Sequence, residues 1–282
     1  MTLSPSPLRA LVVDDLEAAH DLSRAVGWAH RLDDWRFVHG LGHGFAADDA
    51  GRLVGTGMYW PFGQGFATLG LVIVDPARQG AGIGRRLMTG LLEAIGPRTT
   101  LLIATDAGAP LYEKLGFATI GGIVQHQGQD CRVPDQAMPA GWRIRPAAMA
   151  DLAALAALDT QATGLARPHV LQALLTVAEG AVLERDGQPV GFAVCRLFGR
   201  GRVVGPIVAP DEAGARALIA HWIAACPGQF MRVDIPDTVG LGPWLEAHGL
   251  ARIAPGIAMA RGPAPVQTGD ARLFGLINQA LG

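Results

Sequence analysis

The chain repeats itself, and that restricts its fold more than any other feature. Pro110-Leu111-Tyr112-Glu113-Lys114-Leu115-Gly116-Phe117 returns as Pro243-Trp244-Leu245-Glu246-Ala247-His248-Gly249-Leu250, and Val74-Asp75-Pro76 returns as Val208-Ala209-Pro210. Both returns fall at an offset of about 133 residues, the size of a domain. In the first copy a short strand at 8–13 leads to a helix that Asp14 or Asp15 opens and Gly27 closes. A second helix is predicted around 33–39, then strands at 44–48 and 53–60 about the turn Asp49-Ala50-Gly51-Arg52. Residues 68–74 form an apolar, β-branched run, the pattern of a strand covered on both faces. Ile83, Leu87, Leu91 and Ile95 recur every fourth place and give a helix one apolar stripe. A strand at 100–105, a short helix at 110–115 stopped by Gly116 and a strand pair from 117–125 complete the copy.

The polar stretch 128–141, with Pro134 and Pro139, reads as a linker, so the chain divides into 1–130, a linker 131–141, and 142–282. The second part runs through the same order. It has a strand at 142–145, helices from Asp151 and over 168–178, and a hairpin of 181–185 with 189–196 around Asp186-Gly187. A strand at 203–208, a helix at 212–225 carrying Leu218, Trp222 and Cys226 at spacing four, a strand at 231–235 and a short helix at 243–248 follow.

Of 282 residues, 50% are hydrophobic and 17% charged, which supplies sizeable cores and excludes a disordered chain. With 23 Lys+Arg against 25 Asp+Glu there is no basic excess of the kind nucleic-acid binders carry. Lys114 is the only lysine, which argues against polybasic attachment to a membrane, and no apolar run approaches the ~18 residues that cross one. Residues 1–7 are polar with no signal-peptide core, so the expected compartment is the cytoplasm. Cys131, Cys195 and Cys226 stand far apart in sequence with no C-x-x-C pair, and the histidines show no ligand spacing. Neither a disulfide framework nor a metal site is expected.

The chemistry concentrates in Val72-Ile73-Val74-Asp75-Pro76-Ala77-Arg78-Gln79-Gly80-Ala81-Gly82-Ile83-Gly84-Arg85-Arg86-Leu87-Met88, a buried strand, a glycine turn and an amphipathic helix. Glycines let the backbone approach a ligand closely, and free N–H groups at a helix start form an anion site suited to pyrophosphate. Gln79, Arg85 and Arg86 add donors and positive charge. The Gly-Lys-Ser/Thr ending of a Walker loop is absent. The glycine spacing and the position after roughly the fourth strand also differ from a dinucleotide fingerprint.

Gln79, Gly82 and Gly84 satisfy a Q/R-x-x-G-x-G/A signature, with Val-Asp-Pro before it and Leu-Tyr-Glu-Lys-Leu-Gly-Phe after it. On these motifs residues ~8–126 resemble the GNAT family of acyl-CoA-dependent N-acyltransferases, and the whole chain resembles a tandem GNAT protein with a degenerate second copy. The resemblance implies two tandem α/β domains of α+β type, each a mixed, mostly antiparallel twisted sheet flanked by helices. It implies acetyl-CoA as co-substrate and transfer of the acyl group to a primary amine of a small molecule by direct attack. Val72, Ile73 and Val74 would pair with the pantetheine arm at a bulge, one N–H facing the thioester carbonyl. Gln79, Gly80, Ala81, Gly82, Ile83, Gly84 and Arg85 would hold the pyrophosphate. Tyr112 takes the place of the family's tyrosine, a general acid for the departing thiolate. Thr105 stands where the family often has Asn.

The general base stays open among Asp106, His43 and Glu93. Trp28 and Trp35, with Asp33 or Asp34, could wall the acceptor side or simply pack and cap, and only one of Tyr59 and Trp60 can face a site on an alternating strand. In the second copy Asp211-Glu212-Ala213-Gly214-Ala215-Arg216 is shorter and carries two acids where an anion should sit. Two other readings are a non-catalytic acyl-CoA-binding or sensing module and a tandem acyltransferase resembling mycothiol synthase.

Overall fold

A computed structural model describes residues 8–133, 138 and 140–282. Residues 1–7 and the linker prolines Pro134 and Pro139 lie outside the described residues. The chain forms two compact units. The first runs to Leu102 and takes in Phe198–Arg200 and Leu281; the second holds Ile103–Leu197, Gly201–Ala280 and Gly282.

In the first unit β1 (Arg9–Ala10) is shorter than the strand expected at 8–13. Asp15 ends it: the carboxylate accepts from the Val12 N–H at 2.9 Å and from Arg9 at 2.7 Å, turning the chain into a 3₁₀ turn at once. Helices α1 (Leu16–Ala25) and α2 (Leu32–His39) follow, then β2 (His43–Asp49), β3 (Arg52–Phe62), β4 (Phe66–Val74), α3 (Ile83–Ile95) and β5 (Thr99–Ala104). The β2–β3 turn places Ala50 and Gly51 at φ 49° and 79°, as a tight hairpin requires. The strands lie in the order β1-β2-β3-β4-β5, antiparallel except for the β4/β5 pair.

Helix α3 buries Ile83, Leu87, Leu91 and Ile95, the predicted stripe, together with Met88. It presses on β3 where that strand has no side chains: a Cβ on Gly57 would meet Leu91 Cδ1 at 2.7 Å, and one on Gly55 would meet Ile83 and Leu87 at 3.1 Å. Side chains alternate along a strand. Trp60, at an even position, therefore points to the opposite face, where it is fully buried and its Nε1 donates to the Val38 carbonyl of α2 at 2.8 Å.

The second unit contains α4 (Ala109–Lys114), β6 (Ala118–Gly128), β7 (Trp142–Pro146), α5 (Leu152–Thr163), α6 (Pro168–Val177), β8 (Glu179–Arg185), β9 (Gln188–Phe198), β10 (Gly201–Ala209), α7 (Glu212–Ala225), β11 (Met231–Pro236), α8 (Gly242–Ala247), β12 (Ala251–Arg261) and β13 (Arg272–Gly275). Its strands lie in the order β12-β6-β11-β10-β9-β8-β7, with β13 beside β10. Leu218 and Trp222 of α7, with Cys226 just past its end, pack with Leu183, Met231, Val233, Leu245 and Phe274 into one core. Each unit is a mixed, mostly antiparallel sheet with flanking helices, as the resemblance implies.

The final element of the first copy differs from expectation. Residues 117–125 were expected to make a strand pair, but β6 is one eleven-residue strand. It pairs antiparallel with β11 from Met231↔Gly128 to Pro236↔Ile123, and with β12 from Ala251↔Gln127 to Ala260↔Ala118. Both partners come from the second copy, so the copies in the sequence and the compact units in space do not share a boundary. A fragment of residues 1–130 would leave both edges of β6 unpaired, and an unpaired flat strand is an aggregation template. Expressed alone, that fragment is expected to be insoluble or to lack a cooperative thermal transition by circular dichroism. A soluble fragment with native-like melting would overturn this.

Candidate active site

The glycine turn is held from below by Asp75, a residue the motif contained but to which sequence reasoning gave no role. Its buried carboxylate accepts from the Ala77 N–H at 2.9 Å and from Arg52 Nη2 at 3.0 Å, fixing the 3₁₀ turn Pro76–Arg78. Arg78 pairs with Asp49 at 2.7 Å, tying the turn to the β2–β3 hairpin. The chain then crosses Gly80 at φ +80° and Gly82 at φ +76°, a region that favours glycine. A Cβ built on either glycine meets no atom within 4 Å. Gly82 is the N-cap of α3 and no side chain caps it, so the N–H groups of the first turn face outward at the positive end of the helix dipole. Gln79, Gly80, Ala81, Gly82 and Arg85 are exposed, and Gly84 is half-buried. Ile83 turns its side chain into the core with Val54 and Leu87, leaving only its backbone to a ligand. The Gln79 amide reaches back to the Val74 carbonyl at 3.4 Å. A groove of about 370 Å³ runs from Gly82 past Arg85 and Arg86 to Glu93, with Leu8 on its rim.

The strand leading into the turn is open along one edge. β4 and β5 pair only at Phe66↔Thr99, Ala67↔Thr100 and Thr68↔Leu101. Beyond Thr68 the two strands part. On the other edge the β3/β4 register slips between Thr56↔Ile73 and Met58↔Gly70, so Gly57 opposes both Leu71 and Val72, which is a β-bulge. Leu71 sits at φ +52°. Ala50 and Asp186, the other described non-glycine residues at positive φ, occupy hairpin turns. Within a strand such a conformation costs roughly 1–3 kcal/mol and persists only where its surroundings enforce it. Here the Leu71 side chain is buried and its carbonyl accepts from the buried Thr56 hydroxyl at 3.0 Å.

The second copy shows the same frame closed. β10 pairs with β11 only at Arg202↔Met231 and Val203↔Arg232 before those strands part. The gap is filled by the chain itself: β13 pairs with β10 at Ile207↔Gly275, Val208↔Leu273 and Ala209↔Arg272, and the Leu276 N–H donates to the Asp234 carbonyl of β11 at 2.9 Å. At the start of α7 the Asp211 carboxylate accepts from the Gly214 N–H at 2.8 Å and places a negative charge at the helix terminus. Arg216, which follows one helical turn after Glu212, is paired with it and stacks over Trp244 at 5.7 Å.

Thr105 and Tyr112 belong to the second unit, about the short helix α4. Thr105 braces the turn into that helix: its carbonyl accepts from the Gly108 and Ala109 N–H groups, and its Oγ1 accepts from Gly108 at 3.2 Å. Tyr112 is half-buried, edge-on to Phe117 at 6.0 Å, and its hydroxyl bonds to none of the described residues. Burial pushes its phenol up to about 12, so it stays protonated through the neutral range.

Other candidates resolve as structure. Trp35 is 1% exposed and donates to Ser23 at 3.2 Å. Asp34 is buried, accepts from the Arg31 backbone, pairs with the Arg31 guanidinium at 2.9 Å and accepts from the Gly199 N–H at 2.9 Å. Asp33 pairs with Arg36 on the surface, and Trp28 meets His30 edge-on at 5.8 Å. Trp60 is core, whereas Tyr59 lies on the other face against His43, ring centroids 5.4 Å apart. Among the candidate bases Asp106, His43 and Glu93 are all exposed. Cys195 and Cys226, distant in sequence, meet in the second core, where burial pushes the Cys195 thiol up to about 12 and keeps it inert. Among the described residues no group of three or more His, Cys, Asp or Glu could hold a metal ion, and no helix is long and apolar enough to cross a membrane.

Comparison with known proteins agrees with this geometry. Family profiles described as "Acetyltransferase (GNAT) domain" match twice, over residues 40–119 and 155–275. The uncharacterized N-acetyltransferase YitH of Bacillus subtilis is 32% identical over 226 residues, covering 78% of each chain. Among solved structures, a putative acetyltransferase from Pyrococcus horikoshii superposes with a TM-score of 0.81 at 20% identity, over 100% of this chain and 98% of that one. A tandem GNAT protein from the clavulanic acid biosynthesis pathway superposes with a TM-score of 0.64 at 16% identity, over 92% and 100%. The chain belongs to the GNAT acetyltransferase family, and it is a tandem member.

Asp75 is expected to be the main brace of the glycine turn. Asp75→Ala removes a capping acceptor and the Arg52 partner, and should lower unfolding free energy by about 1 kcal/mol in urea titration. An unchanged midpoint would show that the turn holds without it.

Proposed function

We propose that the protein transfers an acetyl group from acetyl-CoA to a primary amine of a small molecule in the cytoplasm, and that only the first copy binds the co-substrate. The observation that carries this is the pairing of an open β4 edge with an uncapped α3 terminus in the first copy. In the second copy a strand of the chain fills one feature and an aspartate caps the other. Gly80, Ala81, Gly82, Ile83 and Gly84 offer backbone N–H groups to the pyrophosphate, and Gln79 and Arg85 add side-chain donors. Val72, Ile73 and Val74 offer strand-like hydrogen bonds to the pantetheine amides, as an edge strand does to an added peptide.

In the reaction the amine lone pair attacks the thioester carbon and the carbonyl π pair moves to oxygen, where a backbone N–H of the bulge stabilises the charge. Collapse re-forms the carbonyl and breaks the C–S bond, giving the amide and a thiolate. The proton lost by the attacking nitrogen leaves to a base or to water, and Tyr112 supplies one to the sulfur. A phenol held up to about 12 by burial is a donor and not a base at neutral pH, which supports that role. The balanced overall charge supports a small acceptor over a nucleic acid.

Titration calorimetry with acetyl-CoA should give one site per chain; two equivalent sites would show that the second copy binds as well. Gly82→Asp should abolish this binding, while the isosteric Gly82→Asn should retain much of it. Both residues tolerate the left-handed conformation, so the difference reads the added charge at an anion site. With an acceptor identified from an amine panel, Tyr112→Phe should lower kcat by ~10²–10⁴-fold and leave acetyl-CoA affinity nearly unchanged. A loss of less than about threefold with chemistry rate-limiting removes Tyr112 from the reaction. Binding without turnover on any amine would instead favour an acyl-CoA sensor.

A further inference from the structure

We infer that Thr56 is a positioning residue for this reaction: its hydroxyl fixes the Leu71–Val72 peptide so that the Val72 N–H is the group presented to the thioester oxygen. The inference rests on the acetyl-CoA reading above. It starts from Leu71, the bulge residue at φ +52° whose carbonyl is tied to Thr56 Oγ1 at 3.0 Å. In a trans peptide the C=O of one residue and the N–H of the next point in opposite directions. With the Leu71 carbonyl held at Thr56, the Val72 N–H must aim away from it.

The register sets that N–H at a break in the β3/β4 ladder and past the end of the β4/β5 one. Gly57, the residue opposite Leu71 and Val72, turns its carbonyl toward β2, where a Cβ on Gly44 would sit 3.0 Å from it. Thr56 and Met58, to either side, are already in register with Ile73 and Gly70. On the far edge the pairing with β5 has ended at Thr68↔Leu101. An N–H fixed in place at a register break and beside an open strand edge is what stabilising a developing oxyanion requires. Thr56 itself is 0% exposed and has no other visible reason to carry a hydroxyl on a strand of otherwise apolar buried residues.

The second copy is an internal control. β3 and β9 are both eleven residues long, with Gly55 matching Gly191 and Phe62 matching Phe198, so Phe192 stands in the place of Thr56. β4 and β10 are both nine residues long, which sets Pro206 in the place of Leu71. Where the gap between the strands is filled by β13, the hydroxyl and the left-handed leucine are both missing.

The test uses the full chain and carbonyl-labelled acetyl-CoA, with the thioester stretch of the bound molecule read by isotope-edited infrared spectroscopy. The wild type should shift the stretch to lower frequency relative to free acetyl-CoA. Thr56→Val keeps the volume and removes the donor; it should lose most of that shift and lower kcat by about tenfold or more, with affinity changed by less than about threefold. Thr56→Ser should restore the shift. Should Thr56→Val fail to fold, Thr56→Cys, a weaker donor of similar size, should give an intermediate shift. A full wild-type shift in Thr56→Val, or in Thr56→Cys where that variant is used, overturns this inference alone. A wild-type chain that does not bind acetyl-CoA overturns the cofactor reading and this inference with it.

Discussion

A parallel pair of strands that stops after three residues governs the rest of this molecule. β4 and β5 start side by side and separate at Thr68, leaving the backbone of residues 69–74 without a partner on that edge. Main-chain N–H and C=O groups need partners, so a gap of this kind is filled by the chain, by water or by a ligand. The two copies treat it differently. In the second, β13 enters the gap and bonds to both parted strands. In the first, the gap leads directly into an exposed turn whose glycines present more unsatisfied N–H groups.

The same logic extends to the helix that follows each gap. α3 and α7 are helices set on equivalent strands, and they differ in the chemistry of their first turns. Gly82 leaves the first-turn N–H groups and the positive dipole end exposed, whereas Asp211 satisfies one such N–H in α7 and sets a carboxylate against the dipole. A capping aspartate stabilises a helix, and a bare glycine cap leaves an anion site, so stability and binding oppose each other at this position. The first copy accepts the less stable choice, and it also carries Leu71 in a left-handed conformation inside a strand. Departures from local stability that cluster at one place identify a functional site better than any single motif residue.

Much of this was legible in the chain. The i, i+4 stripe of α3 and the glycine signature were readable because each depends on residues close in sequence. The two-acid start of α7 was equally legible, as was the tyrosine of α4. Asp75 could have been found as well, since an Asp before Pro at a strand end is a turn former that caps the next N–H groups. Thr56 could not, because its meaning depends on a carbonyl fifteen residues away that a bulge brings beside it. The aromatic and acidic residues of α2 misled in the other direction: Trp35 and Asp34 have the composition of a binding wall, but burial and the Arg31 pair absorb them.

The sequence by itself determined that the chain is a duplicated α/β protein, which copy keeps the glycine signature, and where the apolar face of each helix lies. All three follow from local periodicity and spacing. Only the tertiary structure decided that β6 finds both its partners in the second copy, that β13 closes the second gap, and that Cys195 meets Cys226. These are pairings between residues distant in the chain. A strand presents the same two edges of N–H and C=O groups whatever its side chains, so its sequence says that it will pair but not with which strand; that choice is made by the packing of the whole fold.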